Sequence, residues 1–276
     1  MSRPVLAHAA PLPVAGRGRG RGLTLALLIL LVPVRVAAQA VSQAETLLFE
    51  TDHLAHIKPP AVLVYDFRKV SNVEKGFKDK VQLDLASSKG KTSATLQFLS
   101  GAHKHDIPAL EDAHGNPVLL GFLERDIAEM KRLTGGSTTY FRKRIRMALA
   151  EGAQVSTQSI TYQGTSMPAQ AVRIQPYLND PLHARFEPYV HKTYVFIVSA
   201  QVPGGVYQLR SSLENPSGRA VAGTGTPGAA ANPTAAAGAA GRTAAAAKPA
   251  MASGTGKPLP SIDETLTLVG VAHPGR

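Results

Sequence analysis

The sequence predicts an α+β fold in which a curved, half-barrel-like antiparallel β-sheet packs on a central two-helix hairpin. We call residues 44–213 the body of the chain. In its first and second halves, apolar residues alternate with polar ones, which is typical of strands with one buried face. Between these halves, apolar residues recur at three-to-four spacing in two adjacent segments, which is typical of amphipathic helices. Strands, then helices, then strands is the order of an α+β domain.

Residues 1–40 predict a secretory signal peptide. Three arginines precede an apolar run from Leu23 to Val34, and Ala38-Gln39-Ala40 has the small-x-small pattern of a cleavage site. An uncleaved anchor is the alternative, but the run is only about half of the roughly 20 apolar residues that a spanning helix needs. We therefore predict a periplasmic protein that begins at Val41 and has no integral membrane segment after cleavage.

The first half of the body contains three segments with period-two alternation, joined in part by a Ser-Ser-Lys-Gly-Lys turn at 87–91. The apolar residues that share a face are Leu63, Tyr65 and Phe67 in the first segment, Val81, Leu83 and Leu85 in the second, and Ala94, Leu96 and Phe98 in the third. Each strand has one apolar and one polar face, which predicts an antiparallel sheet covered on one side.

The middle of the body predicts a helical hairpin. Asn116 caps the first helix and Pro117 occupies its first position. Gly135 ends that helix, Ser137 caps the second one, and Gly152 ends it. The predicted apolar faces are Leu120, Leu123, Ile127 and Met130 in the first helix, and Tyr140, Phe141, Ile145, Ala148 and Leu149 in the second.

The second half returns to strands and is then interrupted. The predicted strands lie at 159–162, 169–175, 194–198 and 206–213, and a last one lies at 264–271. The intervening tract is rich in Ala, Gly, Pro and Thr, with too few apolar side chains to offset the entropy of ordering, so we predict that it is disordered. The predicted organisation is a signal peptide at 1–40, an α+β domain at 41–213, a disordered insertion at 214–258, and the final strand and tail of the domain at 259–276.

Composition excludes several classes of function. The chain has no cysteine, which excludes thiol catalysis, cysteine metal sites and disulfides. Five of the basic residues behind the net charge of +11 lie in residues 1–40, and the tract at 214–258 is itself basic, so the body is only weakly cationic. This distribution argues against a nucleic-acid partner. No motif indicates a cofactor.

Two groups of residues could bind a ligand. Arg142 and Arg146 lie one turn apart on the second helix and could hold one carboxylate or phosphate, and with Tyr140 they are the predicted ligand-binding residues. A solvated face with ion pairs to acids of the first helix is the alternative. His103 and His105 form an H-x-H pair that could ligate a metal, but a solvated polar loop is the simpler interpretation and we predict no metal site.

Several segments together resemble a family of uncharacterised proteobacterial secreted proteins. They are Glu45–Phe49, Gly115–Leu120, Leu123–Asp126, Tyr140–Arg146 and Pro203–Tyr207. The resemblance covers roughly residues 44–213 and the last strand, and it implies export without an assigned activity. The strand–hairpin–strand order also resembles the LolA-type fold, in which a half-barrel sheet wraps helices and leaves an apolar cavity for lipid.

We therefore expect an exported, soluble and non-catalytic binding or carrier protein for an amphiphilic, lipid-like ligand. The ligand's tail would lie between sheet and hairpin, and its anionic head would lie near Arg142 or Arg146. An envelope structural or partner-binding module, using a sheet edge or the basic helix, is the alternative. A metal-dependent hydrolase that uses His103 and His105 is the third hypothesis.

Overall fold

The computed structural model describes residues 40–213 and 259–274, which adopt an α+β structure. The predicted signal peptide, apart from Ala40, and the tract at 214–258 lie outside the described residues. The strands are β1 Ala61–Ser71, β2 Phe77–Ser88, β3 Lys91–Phe98, β4 His105–Asp106, β5 Gln154–Tyr162, β6 Thr165–Ile174, β7 Thr193–Val198, β8 Val206–Leu213 and β9 Ile262–Ala272. They form one open antiparallel sheet in the order β4-β3-β2-β1-β9-β8-β7-β6-β5, which confirms the predicted fold class at this level.

Three α-helices accompany the sheet within the described residues. They are α1 Gln43–Glu45, which continues as a π-helical turn at Thr46–Glu50, α2 Val118–Thr134 and α3 Thr138–Glu151. Helix α2 begins one residue later than predicted, because Pro117 takes the cap position and Asn116 Oδ1 accepts the Val118 amide. It ends at Gly135, whose φ of 71° is a left-handed conformation that glycine adopts readily. None of the helices in the described ranges is both long and apolar enough to span a bilayer.

The last strand lies in the middle of the sheet. Strand β9 pairs with β1 on one side and with β8 on the other. Strands β1–β4 and β5–β8 are therefore two antiparallel meanders that are hydrogen-bonded to each other only through β9.

The core lies between the helices and one face of the sheet. Most of the predicted apolar positions are buried in it, namely Leu123, Ile127 and Met130 of α2 and Phe141, Ile145 and Leu149 of α3. The fit of α2 to β3 is close, since a Cβ added to Gly121 would lie 2.7 Å from the Phe98 ring. The prediction for Leu120 was wrong: 47 % of this residue is exposed, because the first turn of α2 turns it toward the preceding loop rather than toward the sheet.

Candidate functional site

A pocket of about 830 Å³ lies at one end of the sheet, where β1 begins, β9 ends and the chain turns from β7 into β8. We name it the end pocket. Small-molecule sites have volumes of about 300–1,000 Å³, so the end pocket has the size of a ligand site. Its walls come from segments within 47–60, 198–205 and 271–274, together with Gln170 of β6. The larger apolar side chains in these walls are Leu47, Ile57, Val198, Val202 and Val271.

The turn between β7 and β8 forms one wall of the end pocket and depends on two consecutive glycines. Gly204 and Gly205 have φ values of 72° and 69°, in the left-handed region. Both are also tightly packed, since a Cβ on Gly204 would overlap Leu63 and a Cβ on Gly205 would lie 2.6 Å from His53 Cδ2. Both glycines are therefore favoured by the backbone conformation and by the lack of space for a Cβ.

Asn116 fastens this turn to the rest of the molecule. Its Nδ2 donates to the Gly204 carbonyl at 2.8 Å and to the Tyr65 hydroxyl at 2.9 Å, and its side chain is buried. Because Oδ1 of the same amide caps α2 through Val118, one side chain joins the helix start, strand β1 and the pocket wall. The shape of the end pocket is thus set by buried hydrogen bonds rather than by surface contacts.

His53 lies in the wall of the end pocket with both ring nitrogens engaged by the main chain. Nε2 donates to the Leu47 carbonyl at 3.0 Å, and Nδ1 accepts the Asn116 amide at 3.4 Å. Burial lowers the pKa of His53, outweighing the main-chain bond to Leu47 and the nearby Asp52 carboxylate, which act in the opposite direction. A neutral imidazole with one donor and one acceptor satisfies this arrangement. Ser199 is similarly occupied, because its hydroxyl donates to the Pro168 carbonyl at 2.7 Å.

The rim of the end pocket carries exposed polar groups. Lys58, His56 and His273 line it on the solvent side, and Nδ1 of His273 lies 3.3 Å from the Pro60 carbonyl. The acid at the rim, Asp52, is bound to His114 at 2.9 Å. Lys58 has no ion-pair partner among residues 40–213 and 259–274, so the rim can offer a cation to a bound anionic group.

A second concentration of polar groups lies inside the core, beneath α2. Four neighbouring strands each contribute one residue, and these residues are register partners: Lys69 of β1, Glu264 of β9, Ser211 of β8 and Tyr194 of β7. Three further buried residues contact them, namely Arg125 and Asp126 of α2, and Lys192. We name this set the polar row. Lys192 Nζ donates to Asp126 Oδ1 at 2.5 Å, the Tyr194 hydroxyl to Oδ2 at 2.5 Å and the Ser211 hydroxyl to Oδ1 at 2.9 Å. Both oxygens of this buried carboxylate are therefore satisfied.

The other half of the polar row is organised around Glu264. Its two oxygens lie 2.5 Å from Arg125 Nη1 and 3.0 Å from Lys69 Nζ. Burial alone would lower the pKa of the Lys69 ammonium, but the carboxylates of Glu264, Glu74 and Glu129 outweigh burial and raise it. Every charge in the row has an opposite charge in contact, and the row fastens α2 to the centre of the sheet.

The three predicted ligand-binding residues lie on α3, and they differ in the partners that the structure gives them. Arg142 makes a two-bond ion pair with Glu124, at 2.8 and 2.7 Å, and this pairing lowers the pKa of Glu124. Tyr140 donates instead to Asp180, and partial burial together with this bond raises the pKa of Tyr140 to about 12. Arg146 is exposed and has no partner in the described part of the chain. None of the three lines the end pocket, so a site on α3 stays a prediction.

The two histidines of the H-x-H pair lie in different local settings. His103 stacks on Phe77 with ring centroids 3.8 Å apart, and His105 belongs to the short edge strand β4. Within the two described ranges, no three His, Asp or Glu side chains come together in a way that could hold a metal ion.

No family model matches the chain, and no curated protein matches it either. The resemblance to secreted proteobacterial proteins and to the LolA-type fold therefore stays a prediction.

Proposed function

We propose that this chain is an exported, non-catalytic binding protein that holds an amphiphilic ligand in the end pocket. The observation that carries the proposal is a pocket of about 830 Å³ with apolar walls whose buried polar side chains are already engaged by the main chain. Among the buried side chains of these walls, His53 and Ser199 are the two that could serve acid–base or nucleophilic chemistry. Both serve the local backbone, which favours binding over catalysis.

The proposed orientation of the ligand follows from the distribution of polarity in the end pocket. An apolar body would lie against Val198, Val202 and Ile57, where burial stabilises it by roughly 25 cal/mol per Å² of apolar surface. A polar or anionic head would remain at the rim near Lys58 and His273, where it keeps contact with water.

We also propose that the sheet is curved into a half-barrel around the α2–α3 pair. One helix, α2, contacts β3 through Gly121 and also β9 and β8 through Arg125 and Asp126. A sheet that presents such widely separated strands to one helix is curved, which supports a half-barrel around the α2–α3 pair. Export to the periplasm is proposed from the signal-like residues 1–40.

The test measures binding of a fluorescent long-chain fatty acid, an anionic amphiphile, to the purified protein. Ala200 lines the end pocket and is exposed, so Ala200→Trp fills the opening without disturbing the core. We expect this variant to bind the probe about tenfold more weakly or worse, a change of about 1.4 kcal/mol. Ala184→Trp is the matched control, because Ala184 is also exposed but lies outside the pocket.

The same assay separates the end pocket from the site predicted on α3. The double variant Arg142→Ala with Arg146→Ala should bind the probe like the wild type. If that variant loses the probe while Ala200→Trp keeps it, the ligand site is on α3 and the end-pocket proposal is wrong. If the wild type does not bind the probe and native mass spectrometry of periplasmic protein finds no lipid, the carrier function is wrong.

A further inference from the structure

A second concavity lies between the π-helical turn after α1 and the loop that leads into α2, and we name it the side groove. Its volume is about 240 Å³. Phe49, Leu110 and Leu120 line it and leave 37 %, 37 % and 47 % of their surface exposed. Single exposed apolar side chains are ordinary on a protein surface, but a group of three around one groove is typical of an interaction site.

The side groove is held in shape by backbone hydrogen bonds. Leu110 and Ala94 of β3 exchange two such bonds, both 2.9 Å long, and the Ala113 amide donates to the Thr92 carbonyl at 2.8 Å. Further along the loop, the His114 carbonyl accepts the Leu54 amide at 3.1 Å. A groove fixed in this way loses little conformational entropy when a partner binds, which favours affinity.

The charge around the side groove is negative. Glu111 lines the groove and Glu50 follows Phe49, and neither carboxylate has an ion pair or hydrogen bond within the part of the chain that the structure describes. The nearby basic side chains are already engaged, since Lys91 Nζ contacts Asp112 at 2.5 Å and His114 Nδ1 contacts Asp52 at 2.9 Å. The free charge at this surface therefore belongs to acids.

We propose that the side groove docks a protein partner through a short segment that presents one large apolar side chain next to lysine or arginine. The apolar side chain inserts between Phe49, Leu110 and Leu120, and the flanking cations meet Glu50 and Glu111. The volume is that of a single anchor residue, and buried anchors of this kind supply most of the energy of many interfaces. An anionic membrane surface does not fit, because the two carboxylates would face negative head groups.

The test uses a fluorescently labelled peptide with a central phenylalanine flanked by lysine and arginine, and measures anisotropy on the purified full chain. Two further peptides replace the phenylalanine by alanine or the basic residues by glutamate. We expect binding of the first peptide only, weakened about tenfold by Leu110→Ser with Leu120→Ser and by Glu111→Lys. Added salt should weaken binding as well.

Matched variants keep the proposal falsifiable. Leu178→Ser with Leu182→Ser removes two other exposed leucines, and Glu187→Lys reverses an exposed acid elsewhere, so neither should change peptide binding. Ala200→Trp should leave peptide binding intact, so failure of the end pocket and failure of the side groove are distinguishable. Equal binding of the alanine peptide, or equal loss in the matched variants, would overturn the proposal. Concentration-dependent dimerisation that Leu120→Ser abolishes would do so too, because the occupant would then be a second copy of the chain.

Discussion

The polar row and the end pocket both bring together polar side chains that are distant in the sequence. They differ in whether those side chains remain available to bind a ligand. In the polar row, Asp126 and Glu264 are buried and each has cations in contact. In the end pocket, the buried polar groups serve the backbone, while Lys58, which has no ion-pair partner within 40–213 and 259–274, lies at the rim beside apolar walls. Convergence of charged residues therefore does not by itself indicate a ligand site in this fold, and the site that we propose is instead the one open to solvent.

The polar row also shows why such a cluster is costly to disturb. Removing a charge from water is unfavourable, and its partner recovers that free energy only while the pair is intact. We therefore expect the row to matter more for the position of α2 on the sheet than for net stability. The end pocket has no equivalent constraint at its opening.

The largest expected effect is at the centre of the polar row. Asp126→Asn leaves the buried Lys192 ammonium without its counter-charge, and we expect it to lower the free energy of unfolding by about 3–5 kcal/mol. Denaturant unfolding measures this loss. Glu124→Gln, the same chemical change two residues earlier on the half-exposed side of α2, should cost about 1 kcal/mol or less. Equal losses of unfolding free energy in the two variants would mean that Asp126 contributes no more to stability than an ion-paired surface carboxylate.

A smaller effect is expected in the wall of the end pocket. Gly205→Ala forces a left-handed alanine and places its Cβ against His53, so we expect a loss of about 2–4 kcal/mol and weaker binding of the fatty-acid probe. Gly164→Ala is the control, because Gly164 also has a positive φ of 80° but has open space around it. It should cost only about 1–2 kcal/mol and leave the probe bound. A Gly205→Ala protein with wild-type stability would show that the turn is not tightly packed.

The pH dependence of stability tests the environment of His53. Its pKa is lowered in the folded state, so the unfolded chain binds a proton more readily, and stability falls as the pH drops below about 6.5 toward the folded pKa. We expect His53→Gln to reduce this dependence, by at most about 1.4 kcal/mol per pH unit. Denaturant midpoints between pH 7.5 and pH 5 provide the measurement.

His114 supplies a control of opposite sign for the pH experiment. Its bond to Asp52 raises its pKa, so its contribution is present below about pH 6.5 and is lost as the pH rises through the folded pKa. His114→Gln should therefore make acid destabilisation steeper, whereas His53→Gln makes it shallower. Changes of the same sign in the two variants would contradict the opposite environments of the two imidazoles.

The smallest expected effect is at the surface of α3. Arg142 and Glu124 form an exposed ion pair, and a double-mutant cycle with Arg142→Ala and Glu124→Gln should give a coupling of about 0.2–1 kcal/mol that shrinks with added salt. Unfolding curves of the four proteins at low and high salt give this value. A coupling comparable to the loss in Asp126→Asn would place Arg142 among the structural residues of the core.

Much of the sheet could be predicted from the alternation of apolar and polar residues. The same alternation also indicates two residues of the polar row, because it places them at buried positions. The pattern through Leu63, Tyr65 and Phe67 continues to Lys69, so its parity places this lysine on the core face. The pattern through Leu266 and Leu268 runs back to Glu264 in the same way. A charged residue at a buried parity position indicates that a partner lies opposite, although the partners on α2 cannot be identified without the packing.

The end pocket could not be predicted by comparable reasoning. Its walls are contributed by segments near residues 50, 200 and 272, and no periodicity relates residues so far apart. Pro203-Gly204-Gly205 was predictable as a turn. Its contact with His53 was not, because that contact depends on how the segment at 47–60 packs against the turn between β7 and β8. The exposure of Leu120 has a similar origin, because helical spacing defines a face but not how far along the helix that face is covered.

The central position of β9 has a consequence for the order of folding. Val62 pairs with Ala272 and Ser71 with Ile262, which are contacts between residues roughly 200 positions apart, and such non-local contacts form slowly. Until the last strand arrives, each of the two meanders presents an unpaired edge, β1 on one and β8 on the other. Exposed edges of this kind are templates for pairing with other chains. During synthesis the chain is therefore at its most aggregation-prone just before β9 emerges, and the two meanders join into one sheet only when β9 docks between β1 and β8.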